Sequence, residues 1–243
     1  MRGRLTVKDR FSKLVVNGVE EPKEWQSVRM TKNYQDDHGV TDVNSADIRC
    51  FQMRAGTGTA TVAAGGSVGF VADQTVTHPG PVQFYMARVP DSANINTWEA
   101  AGNVWFKVSS TSGTPAGSDF NWPTYRMSLL RPRDFGKSPV TAGLLTPWGW
   151  HTDKKSVSFT VPKTLPSGNY LVRIESIALH QAENPGGAQF YLACGQVKVT
   201  DGGNGTPGPM VAFPGAYKSG GPGLLFSWRT KAYTPPGPSI WEG

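Results

Sequence analysis

Apolar and polar residues alternate with period two along most of this chain, in short runs closed by Gly, Pro, Asn or Asp. That period puts successive side chains on opposite faces of a strand. "FSKLVVNGV" (11–19) predicts a strand entering an Asn-Gly hairpin turn. "TATVAAGGSVGFVA" (59–72) predicts a strand pair around Gly65-Gly66. Runs at 81–89, 103–110, 156–162, 169–180 and 188–200 predict further strands. A helical period longer than a turn or two is confined to the neighbourhood of 91–101. Seven or more short strands divided by turn signals predict an all-β protein. The expected architecture is an antiparallel two-sheet β-sandwich, immunoglobulin/fibronectin-like, with long loops. From about residue 201 the chain becomes a Pro/Gly-rich C-terminal coil. Its Phe213, Tyr217, Leu224, Leu225, Trp228, Tyr233 and Trp241 predict packing against the sandwich.

The 243 residues suit one domain of this class. Aromatics at 11% are too many for a disordered chain. No apolar run approaches the roughly 18 residues of a membrane span, so no membrane partner is expected. The net charge of +6 has a location. Residues 1–8 carry Arg2, Arg4 and Lys8, and 125–151 carry Arg126, Arg131, Arg133 and Lys137 against Asp134, so each segment is net +3. The rest of the chain is neutral, which argues against a nucleic-acid partner. Both basic segments lack the period of their neighbours. They read as an atypical N-terminal extension (1–8) and an atypical insertion (125–151) within one domain spanning 9–243. "MRGRLTVKDRFSK" has no apolar stretch or small-residue cleavage site, so a signal peptide is absent from this sequence. Cys50 and Cys194 would close a very long loop if bonded; two buried free thiols are the alternative. Asn204-Gly205-Thr206 is an N-glycosylation sequon and agrees with a secreted, extracellular protein.

Chemistry-bearing residues are few. The histidines are His38, His78, His151 and His180. Gln189 and Tyr191 are two apart on a predicted strand and share a face. Histidines beside a tyrosine suit a metal of the copper type, with the phenol as a weak axial ligand and Gln189 hydrogen-bonding nearby. Each residue also has an ordinary reading: a lone histidine is commonly structural, and Tyr191 on an apolar strand is commonly core. No GxSxG, HExxH or phosphate-binding glycine loop is present. Glu175 and Glu183 could serve as glycosidase carboxylates only if roughly 5–10 Å apart across a cleft, which nothing in the sequence requires.

Three stretches carry a family resemblance: "LPSGNYLVRIESIALHQAENPGGAQFYLACGQVKVT" (165–200), "GNGTPGPMVAFPGAYKSGGPGLL" (203–225) and "YTPPGPSIW" (233–241). They resemble the fungal cellulose-active lytic polysaccharide monooxygenases, formerly classed as glycoside hydrolases. "VRMTKNYQDDHGVTDVNSADIRC" (28–50), "THPGPVQFYM" (77–86) and "VWFKV" (104–108) fit the same family. The resemblance implies a β-sandwich with a flat face bearing one copper ion, which oxidises cellulose or a related β-glucan. The reaction draws on an external electron donor and O2 or H2O2. It implies that His78 binds copper, that Tyr191 is the axial ligand and that His180 and Gln189 are the outer pair acting on oxygen. It also implies a Cys50–Cys194 disulfide and a Tyr217 ring lying on the face to stack on glucose. The protein is expected to be a monomer.

One departure stands out. The family's copper site uses a mature N-terminal histidine through its amine and its ring. Aligning "RFSKLVVNGV" on the family's first strand puts Lys8 at that place. The chain as written then offers one equatorial histidine nitrogen. Residues 1–8 and 125–151 read as gene-model artefacts, the second as unspliced intron, because joining "FNWPT" to "DKKSVSFTVPK" restores a family-like strand. The competing expectation is a non-catalytic secreted polysaccharide-binding relative that has lost the copper site.

Overall fold

The computed structural model describes residues 10–36, 38–73, 76, 78–116, 119–122, 126–127, 150–151, 155–227 and 229–243. In chain order the elements are β1 (Phe11–Val16), β2 (Val19–Glu20), β3 (Met30–Thr31), α1 (Asp47–Cys50), β4 (Gln52–Arg54), β5 (Ala60–Ala63), β6 (Ser67–Ala72), β7 (Val82–Arg88) and β8 (Trp105–Ser110). There follow β9 (Thr114–Ala116), β10 (Asp119–Asn121), β11 (Arg126–Met127), β12 (Trp150–His151), β13 (Ser156–Thr160), β14 (Gly168–Ala178) and β15 (Gln189–Thr200).

Two sheets form the β-sandwich. One has the order β13-β6-β1-β2 and the other β5-β15-β14-β7-β8, with short pairs β3/β4, β9/β10 and β11/β12 beside them. The hairpin between β1 and β2 turns on Asn17 and Gly18, both with positive φ (49° and 81°), the conformation that Asn-Gly supplies with least strain. The pairings are antiparallel except β5 against β15. The strands around Gly65-Gly66 exist, but they do not pair with each other. β6 lies in the four-stranded sheet and β5 at the edge of the five-stranded one, so the turn crosses between layers. Residues 91–101 form turns without a helix, and among the described residues the helix is α1 alone. Residues 1–8 fall outside the described residues. Of the 125–151 segment only the ends are described, where Arg126 and Met127 pair with His151 and Trp150.

The inner core fills the space between the sheets with alternate residues of each strand: Leu14, Val68 and Phe70 from one, Phe84, Met86, Val172, Ile174 and Ala193 from the other. A second core lies on the outer face of the five-stranded sheet. There Tyr85, Leu171, Ile177, Phe190 and Leu192 are covered by α1 and by Phe213, Tyr217, Leu224 and Phe226 of the C-terminal coil. The coil therefore packs as expected, although Leu225 stays 43% exposed; Trp228 lies outside the described residues. Covering both faces of the sheet buries β14 and β15 almost continuously. The Cys50–Cys194 disulfide ties α1 to the middle of β15. Arg173, fully buried, donates from Nε and Nη2 to the carbonyls of Ile48 and Arg49 and so fastens the same helix a second time.

Candidate functional site

The hairpin joining β14 to β15 sets the site. Register places Ala178 opposite Gln189 and Ser176 opposite Tyr191, so His180, two residues past the end of β14, emerges beside the start of β15. The connecting turn is tight. A Cβ on Gly187 would stand 1.9 Å from the Gln181 carbonyl oxygen, so no larger residue fits there. The segment His78-Pro79-Gly80-Pro81 runs along the end of β14. It accepts hydrogen bonds at the Pro79 and Pro81 carbonyls from the amides of Leu179 and Ile177 (2.8 and 3.0 Å). Gly80, with φ of 155°, allows that approach, since a Cβ would meet the Ile177 oxygen at 1.7 Å. Val40 and Phe190 exchange backbone hydrogen bonds (2.9 and 2.8 Å) and lay the 38–40 segment against the other edge of β15.

These constraints bring His78, His180, Gln189 and Tyr191 together. The His78 imidazole lies nearly parallel to the Tyr191 ring, with centroids 4.6 Å apart and planes at 13°. It lies nearly parallel to His180 as well, at 5.2 Å and 23°. The Tyr191 phenol donates to Gln189 Oε1 at 2.9 Å. Gln189 Nε2 in turn donates to Gln181 Oε1 at 3.1 Å. Tyr191 is 5% exposed, while His78, His180 and Gln189 are half-buried and reach the surface. His38 does not join them: its side chain is exposed, beside Asp36 at 3.0 Å. Gln181 is the participant that the sequence reading missed. Nothing in strand period marks it, because it lies on the turn beyond the last paired residues, Ala178 and Gln189, and reaches Gln189 only through its side chain.

Imidazole nitrogen and phenol oxygen are donor types that copper accepts, so the residues present fit copper in kind. The set is partial. Among the described residues, no group of three or more His, Cys, Asp or Glu is placed to hold a metal ion.

One expectation needs correction. Tyr217 does not lie on a face open to sugar. It is 5% exposed in the outer core, stacked at 5.6 Å on Phe190 and edge-on to Phe213 at 5.3 Å. Its phenol donates to the Glu175 carboxylate and meets Tyr85 Oη at 2.8 Å. Burial and the neighbouring Glu175 charge hold its pKa well above the usual phenol value, so it stays protonated. The cause of the burial is Glu175 itself, a charge on the outer face of β14 that needs donors once the coil covers it. The glycosidase reading fails for the same reason. Glu175 is wholly buried and ion-paired to Arg173 at 2.7 Å, out of reach of any substrate, whereas Glu183 is exposed on the turn. Burial lowers the Arg173 pKa, but Glu175, together with Tyr217 and Tyr85, raises it by more, so the guanidinium stays charged.

Residues 9–235 match Auxiliary Activity family 9, formerly GH61. Lytic polysaccharide monooxygenase H of this family from Malbranchea cinnamomea is 42% identical over 238 residues, covering 96% of this chain and 91% of that protein. Monooxygenase A of Thermothielavioides terrestris is 40% identical over 238 residues, covering 94% and 90%. Among solved structures, a cellulose-active polysaccharide monooxygenase from M. thermophila superposes with a TM-score of 0.71 at 25% identity, covering 96% of this chain and 99% of that one. The extended catalytic domain of a lytic polysaccharide monooxygenase from H. jecorina gives 0.74 at 25% identity, covering 96% and 91%. The chain belongs to Auxiliary Activity family 9, the lytic polysaccharide monooxygenases, enzymes that cleave polysaccharides by oxidation.

Proposed function

We propose that the cluster of His78, His180, Gln189 and Tyr191 is the centre at which this chain oxidises β-1,4-glucan, cellulose above all, with one copper ion as cofactor. The carrying observation is the convergence of two imidazoles and a phenol at one end of the β14–β15 hairpin in a chain of this family. The cellulose activity named for one solved relative supports the choice of polymer. His78 would hold the ion through its imidazole and Tyr191 would stand beside it through its phenol. Copper bound there supplies one-electron chemistry toward O2 or H2O2, fed by an external donor. His180 is near enough to hold or release a proton at its imidazole. Gln189 keeps the phenol oriented. The disulfide suits the extracellular setting in which this family works. Residues 9–243 act as one domain and as a monomer in this reading, with 1–8 and 125–151 foreign to it.

One observation favours a second reading. If the chain is aligned on the family's first strand, Lys8 falls where the resemblance expects a ligating N-terminal histidine, which would suit a polysaccharide-binding relative without copper. A single set of measurements separates the two. The N-terminal residue of the secreted protein is read by mass spectrometry and copper is titrated in by calorimetry. Cellulose is then incubated with protein, ascorbate and H2O2. The first reading expects one copper per chain, abolished by His78→Ala, and oxidised oligosaccharides that require both copper and ascorbate. Cellulose binding without copper uptake or oxidised products establishes the second and overturns the first.

A further inference from the structure

We propose that Gln181 is a positioning residue. It holds the Gln189 carboxamide with its oxygen toward Tyr191 and so makes the phenol a hydrogen-bond donor. A carboxamide has two unlike ends, an oxygen that only accepts and an NH2 that only donates. Here Gln189 Oε1 accepts from Tyr191 Oη at 2.9 Å and Gln189 Nε2 donates to Gln181 Oε1 at 3.1 Å. The three side chains form a relay with one direction. Turning Gln189 alone would set two acceptor oxygens against each other at Gln181, so the two amides reverse as a pair or not at all. The group at position 181 therefore decides which way the relay runs.

The backbone keeps Gln181 in place for this task. Its carbonyl oxygen packs against Gly187, where a Cβ would stand only 1.9 Å away. The next residue, Ala182, donates to the Leu179 carbonyl at 3.1 Å and accepts from the Phe226 amide at 2.8 Å. The side chain thus starts from a fixed point on the turn, although it is itself exposed. A phenol that directs its proton to Gln189 keeps its electron pairs for other partners. A phenol made to accept from Gln189 commits one of them to the amide. The consequence at copper rests on the function proposed above; the relay itself does not.

Chemically opposite substitutions test it. Gln181→Glu only accepts and preserves the direction. Gln181→Lys only donates and reverses it. Gln181→Met breaks it. The readout is the Raman tyrosine doublet, which distinguishes a donating from an accepting phenol. It is recorded on copper-free full chain, with the Tyr191 contribution isolated by subtracting the Tyr191→Phe spectrum. Unchanged melting temperatures and near-UV circular dichroism confirm that each variant is folded. The wild type and Gln181→Glu should give the donor signature and Gln181→Lys the acceptor signature. In copper-loaded protein, Gln181→Lys and Gln181→Met should lose roughly twofold to tenfold in oxidised product, the worth of one hydrogen bond, with Gln181→Glu rescuing. A Tyr191 signature in Gln181→Lys identical to the wild type overturns the relay. So does a Gln181→Glu that behaves like Gln181→Met. If copper does not bind, the copper-free spectra still decide the relay, and its failure and that of the proposed function remain distinguishable.

Discussion

Tyr217→Phe separates a buried network residue from a sugar-stacking one, because the two roles respond in opposite ways. The substitution keeps the ring and its contacts with Phe190 and Phe213 and removes only the hydroxyl. That hydroxyl donates to the Glu175 carboxylate, meets Tyr85 Oη at 2.8 Å and lies 3.3 Å from Gln83 Nε2. A hydrogen bond to a buried charge contributes about 1.5–3 kcal/mol. Tyr85, wholly buried, loses a partner as well, so the expected total is about 2–4 kcal/mol. For a domain of this size each kcal/mol moves the melting point by about 2–4 °C, giving a fall of about 4–16 °C. Glucan affinity should be unchanged. Thermal unfolding and a cellulose pull-down measure the two effects. A double-mutant cycle with Glu175→Gln should return a coupling of about 1–3 kcal/mol, because the residues touch. A variant as stable as the wild type would refute the network reading. Weakened glucan binding with intact stability would restore the stacking role.

Two further perturbations test what anchors the site. Replacing both Cys50 and Cys194 by Ala opens a loop with a sequence separation of 144, for which chain entropy predicts a loss of about 5 kcal/mol. Urea denaturation reads this directly, and a loss under about 1 kcal/mol would rule out that account. Lys107 supplies a pH test. Its side chain is buried with Nζ donating to the Pro236 carbonyl at 2.6 Å, and burial lowers its pKa from 10.5 to about 8, with Glu175 partly opposing. Between these values the unfolded chain holds a proton that the folded one has released, so stability rises with pH across the window by about 2–3 kcal/mol. Above about pH 10 the buried Tyr217 and the half-buried Tyr233 act the other way, since each stays neutral only when folded. Lys107→Met should flatten the rise between pH 8 and about 10 in urea titrations, and a wild-type curve parallel to that of the variant contradicts the assignment.

Local features were legible where local physics decides them. Asn17-Gly18 marks its hairpin because two successive positive-φ residues suit that dipeptide. Gln189 and Tyr191 share a face because the period of a strand is two. Nothing local brings His78 to His180, about a hundred residues later; that juxtaposition came from family resemblance, and its physical cause is the pinning of Pro79 and Pro81 along β14. Nor does alternation reveal which sheet a strand joins, which is why the Gly65-Gly66 turn read as a hairpin when it crosses between layers.

The placement of Tyr217 on a sugar-binding face came from family resemblance, and the residues of β14 show why it is buried instead. In "YLVRIESIALH" the residues Leu171, Arg173, Glu175 and Ile177 alternate onto one face, and a face with two charges looks solvated. The pair is instead self-neutralising, an Arg and a Glu two residues apart that meet at 2.7 Å. Once covered, a charge pair needs its remaining hydrogen-bonding capacity filled, or the desolvation cost is not offset. Gln83, Tyr217 and the α1 carbonyls fill it. A strand with paired opposite charges on one face, followed by a coil rich in tyrosine and phenylalanine, therefore signals a buried network under that coil. On that argument the phenol of "FPGAYK" belongs to Glu175 before it belongs to any sugar.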